Sequence, residues 1–384
     1  LHTSDWHLGR QFHNISLLED QRIVLQQIVD TAKEQQVDVI LIAGDIFDRS
    51  VPPASAVELL DEVLNQILNE LNIPVIVIAG NHDGPERLSF AARQLSASGL
   101  YIFGKPEKTP TPVILSDAHG PIQFFAIPYC DPAEVKAAFE VDIRTHQEAQ
   151  ELLVNSIKES MDSSMRTVIV NHLFLDGSSS SESERPLSIG GLDTVSADLF
   201  KDFHYTALGH LHGRQFKGSE TIRYSGSILK YSFSEEHHQK SVTLVEIDSQ
   251  GECSIQQIPL VAKRDMRILE GSLADILEKG KQDPRHEDYL LVRLTDRHAI
   301  LDVMNKLREV YPNVLHLERP GLMAAGEIKE MGQEHLKRGE FEMFEDFFQQ
   351  VGGEPLSDLQ KEILKNTLEK IKKGFELKKL EIDQ

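Results

Sequence analysis

Five short segments share one order of residue types: an apolar run followed at once by a carboxylate, imidazole or amide suited to hold a cation. Leu1-His2-Thr3-Ser4 leads into Asp5-Trp6-His7, Val39 to Ala43 into Gly44-Asp45, and Pro74 to Ala79 into Gly80-Asn81-His82-Asp83. Thr167 to Val170 leads into Asn171-His172, and Tyr205 to Leu208 into Gly209-His210-Leu211-His212. The collected donors are Asp5, His7, Asp45, Asn81, His172, His210 and His212. Mixed nitrogen and oxygen donors suit manganese, iron or zinc better than magnesium, which prefers oxygen and retains water. Seven donors exceed one coordination sphere but match two if a carboxylate bridges, and Asp45 is the natural bridge because its strand reads as the most central. Two cations held about 3.5 to 4 Å apart activate water and clamp both the attacked phosphoryl group and the leaving oxygen. Asp5 and His7 stand two apart, as do His210 and His212, so each pair projects to one side where the backbone is extended.

The elements that must position these groups follow from periodicity. Val39-Ile40-Leu41-Ile42-Ala43 has no polar alternation, as in a strand buried on both faces, and Asp45 then falls at its carboxyl end, where open α/β sheets gather ligands. Leu17 to Gln36 carries a helical stripe at Ile23, Val24, Ile28 and Val29, and Pro52-Pro53 opens a second helix from Ala54 to about Asn72. This β-α-β-α-β rhythm predicts a sheet with helices on both faces. Further helices are expected over Glu86 to Ala97 and Gln147 to Ser160. Asp176 to Glu184, with four consecutive serines, reads as a surface loop: a tolerated insertion or a substrate-gripping segment. Ile222 to Ile247 reads as short strands with a turn at Tyr224-Ser225-Gly226.

A different rhythm starts near Lys263. Met266 to Leu269, Tyr289 to Leu294 and Val314 to Leu317 read as strands, with helices over Ser272 to Lys279 and Ile300 to Tyr311. This βαβαβ module holds no ligand cluster, so its expected role is to shape access. The remaining tail has Phe341, Phe344, Phe347, Phe348 and Val351 on one helical face. After Gly352-Gly353-Glu354-Pro355, Ser357-x-x-Gln360 forms a capping box before Leu359, Ile363, Leu364, Leu368 and Ile371. Such a pair cannot bury its phenylalanines by itself, and a partner chain is the favoured cover. The expected division is 1–262, 263–322 and 323–384.

Composition sets bounds on this reading. The 40% hydrophobic and 26% charged content of the 384 residues is that of a globular protein. No apolar run approaches the roughly 20 residues that span a bilayer, and the amino end shows no basic n-region followed by an apolar h-region, so a cytoplasmic protein with no membrane partner is expected. The chain opens on Leu1 inside that strand, and a few preceding residues are expected. Cys130 and Cys253 are isolated and read as buried thiols. The formal charge of -21 argues at first against nucleic acid. Residues 1–262 hold 19 basic and 36 acidic side chains, so nearly all the excess lies where two divalent cations would leave the pocket locally positive.

Other residues have plainer readings. His2, His13 and His335 are lone histidines better read as packing or surface residues, and His237-His238 lies in a charged run, Glu235 to Lys240, that reads as solvated. Asp48 and Asp83 read as caps or supporting acceptors. Arg10, Arg49, Arg87, Arg185 and Lys230 flank the motifs, but isolated surface cations are the plain explanation.

In order, the five junctions resemble the motifs of the calcineurin-like metallophosphoesterases. The wording His2-Thr3-Ser4-Asp5-Trp6-His7-Leu8-Gly9, Ala43-Gly44-Asp45-Ile46-Phe47-Asp48 and Ala207-Leu208-Gly209-His210-Leu211-His212 is similar to the bacterial SbcD branch of DNA double-strand-break repair nucleases. The resemblance covers about the first 230 residues. It implies an α/β fold: a metallophosphoesterase β-sandwich flanked by helices, with a small α/β capping domain and a C-terminal helical tail. It implies one manganese on Asp5, His7, Asp45 and His212 and another on Asp45, Asn81, His172 and His210, with His82 contacting the scissile phosphate. Some archaeal and eukaryotic relatives carry a histidine where Asp48 stands. No G-x-x-x-x-G-K-[ST] occurs, so ATP dependence would come from a partner, the SMC-like ATPase SbcC, docked on residues 331–375. The implied assembly is a homodimer within a heterotetramer, nucleoid-associated and acting on DNA as a duplex-end exonuclease and single-strand or hairpin endonuclease. Two rivals are a small-molecule phosphodiesterase or phosphatase on the same core and a non-catalytic scaffold.

Overall fold

The apolar runs before the five junctions become strands of two separate sheets. The computed structural model describes residues 1–185, 194–320, 340–352 and 355–382. The chain divides into two units, Leu1–Asp265 and Met266–Gln384. In the first, the strands are β1 (His2–Thr3), β2 (Ile40–Ala43), β3 (Val75–Ile78), β4 (Leu100–Phe103), β5 (Val113–Asp117), β6 (Gly120–Ile127), β7 (Arg166–His172), β8 (Tyr205–Gly209), β9 (Gln215–Lys217), β10 (Ser219–Tyr224), β11 (Ser241–Ile247) and β12 (Cys253–Pro259). One sheet has the order β12-β11-β1-β2-β3-β4 and the other β9-β10-β8-β7-β6-β5. The strands that deliver the junctions are parallel neighbours: β1 with β2, β2 with β3, and β7 with β8. Their carboxyl ends therefore emerge together, and Gly209 pairs in register with His172.

The expectation of helices on both faces of one sheet is corrected. Leu41, Ala43, Ile76 and Ile78 pack instead against Phe124, Val168, Val170, Tyr205 and Ala207, so the inner face of the first sheet is covered by the second. The alternate residues Ile40, Ile42, Val75 and Val77 are buried on the opposite side, where the helices Leu18–Glu34 and Ala54–Asn65 bring Val24, Leu25, Ile28, Leu59 and Val63. The outer face of the second sheet, with Phe125, Ile169 and Leu208, buries Leu153, Val154 and Ile157 of the helix His146–Ser160. Thr145 and Glu148 close a capping box at that helix's start. The alternation is thus a sandwich with helices outside, because a buried parallel strand leaves two apolar faces and says nothing about what covers each.

The single helix expected over Glu86 to Ala97 is also corrected. Two short turns, Pro85–Leu88 and Ala92–Leu95, stand there, separated by Ala91 at φ 59. Ser89 Oγ donates to the Pro85 carbonyl at 2.6 Å, and Phe90 is 81% exposed, so this stretch has no continuous buried stripe to hold a longer helix.

In the second unit β13 (Met266–Gly271), β14 (Tyr289–Leu294) and β15 (Val314–Glu318) form an all-parallel sheet. Leu290 and Val292 pack with Leu273 and Ile276 of one crossover helix and Val303 and Leu307 of the other. Ser272 caps the first of these helices by accepting from the Asp275 amide. The tail holds the helices Glu340–Gly352 and Asp358–Ile382. Ser357 and Gln360 form the anticipated box, the Ser357 amide donating to Gln360 Oε1 at 2.9 Å. Lys361 pairs with Glu345 at 2.7 Å, while Phe344, Leu359 and Ile363 stay exposed. His335 and the side chains of Phe347 and Val351 lie outside the described residues. Among the described residues no helix is long and apolar enough to cross a membrane.

Candidate metal centre

Most junction side chains reach the site on loops, while His172 ends β7, and backbone hydrogen bonds hold the first loop to the second. The amides of Asp5 and His7 donate to the carbonyls of Gly44 and Asp45, at 3.0 and 2.9 Å, which locks the first junction onto the second. The extended geometry expected for Asp5-x-His7 and for His210-x-His212 is corrected. Asp5, His7, Asp45 and His210 have φ of 52, 46, 51 and 104, so left-handed turns, not strand pleat, aim them inward. Residues with side chains adopt this backbone at a cost, and such positions concentrate at functional sites. Glycine is needed where loops cross. A Cβ on Gly209 would overlap the Ala43 carbonyl, and one on Gly80 would overlap Asp45.

The donors converge. Asp45 Oδ2 lies 3.7 Å from His7 Nε2 and 3.6 Å from His172 Nε2. His7 Nε2 faces His212 Nε2 at 3.0 Å, and Asn81 Oδ1 lies 3.0 Å from His172 Nε2 and 3.2 Å from His210 Nδ1. Asp5, His7 and His212 have ligand atoms within 4.8 Å of one another, as do Asp5, Asp45 and His172, and His7, Asp45 and His82. Asp5 also accepts the His210 amide, at 3.0 Å, and the Ser4 hydroxyl, at 2.5 Å. All seven donors expected from sequence, together with His82, are brought to one place.

The donor chemistry fits cations. His172 Nδ1 lies 2.9 Å from the Ala43 carbonyl, which can only accept, so Nδ1 carries the proton and Nε2 turns a lone pair toward the Asn81 oxygen. Burial, reinforced by His212 and His82, pushes the His7 pKa well below the usual imidazole range; burial and His172 do the same to His210. His172 is lowered by burial, against the pull of Asp45. Burial and Asp45 raise Asp5 well above the carboxylate range. Neutral imidazoles and crowded carboxylates whose lone pairs meet are ligands to a positive charge.

The surroundings hold the site. Asp83 accepts the amides of Ile46, Phe47 and Gly80, at 3.1, 2.9 and 2.9 Å, fastening the third junction to the second, with its own pKa raised to about 7 by burial and Asp45. His82 Nδ1 lies 2.9 Å from the Asp48 carbonyl, which leaves Nε2 to face the site. Arg10 and Arg49 pair with Asp48, at 2.9 and 3.6 Å, and Lys230 with Asp265 at 2.7 Å. His2 is buried against Tyr205 Oη and the Leu208 carbonyl, as suits a packing residue. Cys130 is buried and Cys253 half-buried, both free.

Sequence reasoning missed one group. The run Glu235 to Lys240 is not solvated throughout: Glu235 is 0% exposed and Lys240 9%, although His237 is open. Burial raises the Glu235 carboxyl, yet Lys240 and His212 outweigh it and hold the group well below its ordinary range. The serine-rich loop also does more than skirt the surface, because Ser183 is buried and its hydroxyl lies 2.6 Å from His212 Nδ1. The sequence signal for both was weak, since serine and charged runs usually mark solvent.

Two family models match the chain. The family model described as calcineurin-like phosphoesterase matches residues 1–214, more than half of the chain. A second, described as the type 5 capsule protein repressor C-terminal domain (SbcD_C), matches residues 262–352. The SbcD subunit of the nuclease SbcCD from Staphylococcus epidermidis is 34% identical over 369 residues, covering 96% of this chain and 97% of that protein. Among solved structures, a dimetal phosphatase from Danio rerio is 12% identical with a TM-score of 0.38, covering 68% of this chain and 95% of that one. A protein from Thermus thermophilus is 14% identical with a TM-score of 0.38, covering 66% and 96%. The chain belongs to the calcineurin-like phosphoesterases and, within them, to the SbcD family of nuclease subunits.

Proposed function

We propose that this chain is the nuclease subunit of an SbcCD-type complex, hydrolysing DNA phosphodiesters with two manganese ions. Its reactions are exonuclease action at duplex ends and endonuclease action on single strands or hairpins, in DNA repair, replication and recombination. Asp5, His7, Asp45 and His212 would hold one ion, and Asp45, Asn81, His172 and His210 the other. The observation that carries the reading is the place of Asp45 Oδ2, within 3.7 Å of both His7 Nε2 and His172 Nε2, as a shared carboxylate requires. When bound, the ions supply Lewis acidity and neutralise charge on the attacked phosphate. His82 is the residue of this chain that meets the substrate: Nδ1 donates to the Asp48 carbonyl and holds Nε2 toward the site, where the imidazolium form donates a hydrogen bond or proton to the leaving oxygen. The buried, loop-locked ligands keep the site preorganised, so little reorganisation accompanies the reaction.

The division we propose is a nuclease domain over 1–262, a capping domain over 263–322 and a tail over 323–384, with residues 331–375 docking an SMC-like ATPase, SbcC. Exposed Phe344, Leu359 and Ile363 support an apolar partner for that tail. The assembly is a cytoplasmic, nucleoid-associated heterotetramer built on a homodimer. The test is cleavage of linear duplex DNA set against a chromogenic phosphodiester, with manganese binding measured in parallel. Asp45→Ala is expected to lose manganese and cleavage together. His82→Ala is expected to keep the ions and lose roughly 10²- to 10⁴-fold in rate. Normal cleavage by both variants would overturn the assignment, and hydrolysis of the small diester alone would make the chain a small-molecule phosphodiesterase.

A further inference from the structure

Behind His212 lies a buried polar relay on elements distant from the five junctions. Ser183 Oγ is 2.6 Å from His212 Nδ1 and donates to Glu235 Oε1, which is itself 3.2 Å from the same ring nitrogen. Lys240 Nζ sits 2.5 Å from Glu235 Oε2, and also donates to the His212 carbonyl at 2.8 Å and to Ser227 Oγ at 2.8 Å. The His212 amide donates to Glu184 Oε1 at 2.6 Å. Ring, amide and carbonyl of one residue are thus each held, and the carboxylate and ammonium that hold the ring and the carbonyl are both more than nine-tenths buried.

Proton accounting gives the relay a direction. A carboxylate only accepts, so the hydroxyl proton of Ser183 goes to Glu235 and the hydroxyl oxygen is left to accept from His212 Nδ1. Nδ1 must then carry the ring proton, and Nε2 presents a lone pair where Asp5 and His7 present theirs. We propose that Glu235, its charge held by Lys240 and relayed by Ser183, is a positioning residue that fixes the ring orientation and tautomer of His212 for the cation shared with Asp5 and His7. Such an outer carboxylate raises the donor strength of the imidazole without touching the ion or the substrate. The ion pair is buried because it serves this geometry: two well-packed apolar residues would cost the fold less.

The inference rests on the two-ion reading, and calorimetric titration of manganese into the full chain separates the two. A wild type that binds fewer than two ions overturns the reading and with it this role. Given two ions, Glu235→Gln is expected to weaken one binding step by about 10- to 100-fold and leave the other within about twofold. Two unchanged steps, or two weakened alike, overturn the inference. Glu235→Gln/Lys240→Met, which leaves no unpaired buried charge, carries the same expectation should the single variant not fold. The wild type supplies an independent readout. Nitrogen-15 spectra of the metal-free protein, with the His212 signals assigned by their loss in His212→Gln, should show the proton on Nδ1; a proton on Nε2 overturns the proposal.

Discussion

The strand ends of the two units present opposite solutions to placing charge in a fold. At the carboxyl ends of β1, β2, β3, β7 and β8, cation donors crowd one another: His7 Nε2 lies 3.0 Å from His212 Nε2 and the His172 Nε2 lone pair faces the Asn81 oxygen at 3.0 Å, with Asp5 raised by burial and by Asp45. In the second unit, also built on parallel strands, charges are matched. Arg267 pairs with Asp288 at 2.6 Å and with Asp283 at 2.9 Å, and Arg293 with Glu318 at 2.7 Å. Parallel strands thus carry a crowded cluster of cation donors in one unit and matched ion pairs in the other. Local electrostatic conflict, more than the fold, marks where chemistry belongs.

Three measurements would sharpen or break this contrast. The largest effect is expected from Arg267→Ala, which takes the nearest cation from Asp283 and Asp288, leaving Asp288 the more distant Arg285 at 3.9 Å, and should lower hydrogen-exchange protection in β13 to β15 by about 3 kcal/mol. Manganese affinity should be unchanged; a loss there would mean that the second unit supports the site electrically. Next, manganese at about 10 times its Kd should stabilise the first unit by about 1.4 kcal/mol per ion, read as a shift in the unfolding midpoint, and leave Asp45→Ala unmoved. An equal shift in that variant would point to surface binding.

The smallest effect is in pH. His7, His172 and His210 are held neutral, so on acidification below about 6.5 the unfolded chain takes up protons that the folded, metal-free chain does not, and stability falls. Asp5 and Asp83, raised in the folded state, work in the opposite sense, so the comparison must be made one residue at a time. Relative to His210→Asn, the wild type should lose about 1.4 kcal/mol between pH 7.5 and 5.5. A difference that does not change with pH would mean that His210 titrates normally and that the site is less frustrated than its geometry says.

Much of the site was legible because each donor follows directly on an apolar run that can only be a buried strand. Chain order supplied the residue types, and parallel neighbours supplied a common edge. The left-handed turns at Asp5, His7 and Asp45 were not legible, since these residue types are usually placed elsewhere in backbone space and only the crossing loops compel the turn. Nor were Ser183, Glu235 and Lys240, whose local sequence reads as solvent-facing and whose burial depends on contacts 23 or more residues away.

By itself, then, the sequence determined which side chains could bind cations, that strands would present them, and that a βαβαβ rhythm runs from Met266 to Leu317. Periodicity and residue chemistry are local properties and can be read locally. Tertiary structure decided what periodicity could not: that the second face of the first sheet is covered by another sheet, as the family resemblance implied, and that His212 is backed by a buried ion pair. Each of these depends on which distant surfaces exclude water from one another, and no window of sequence contains that information.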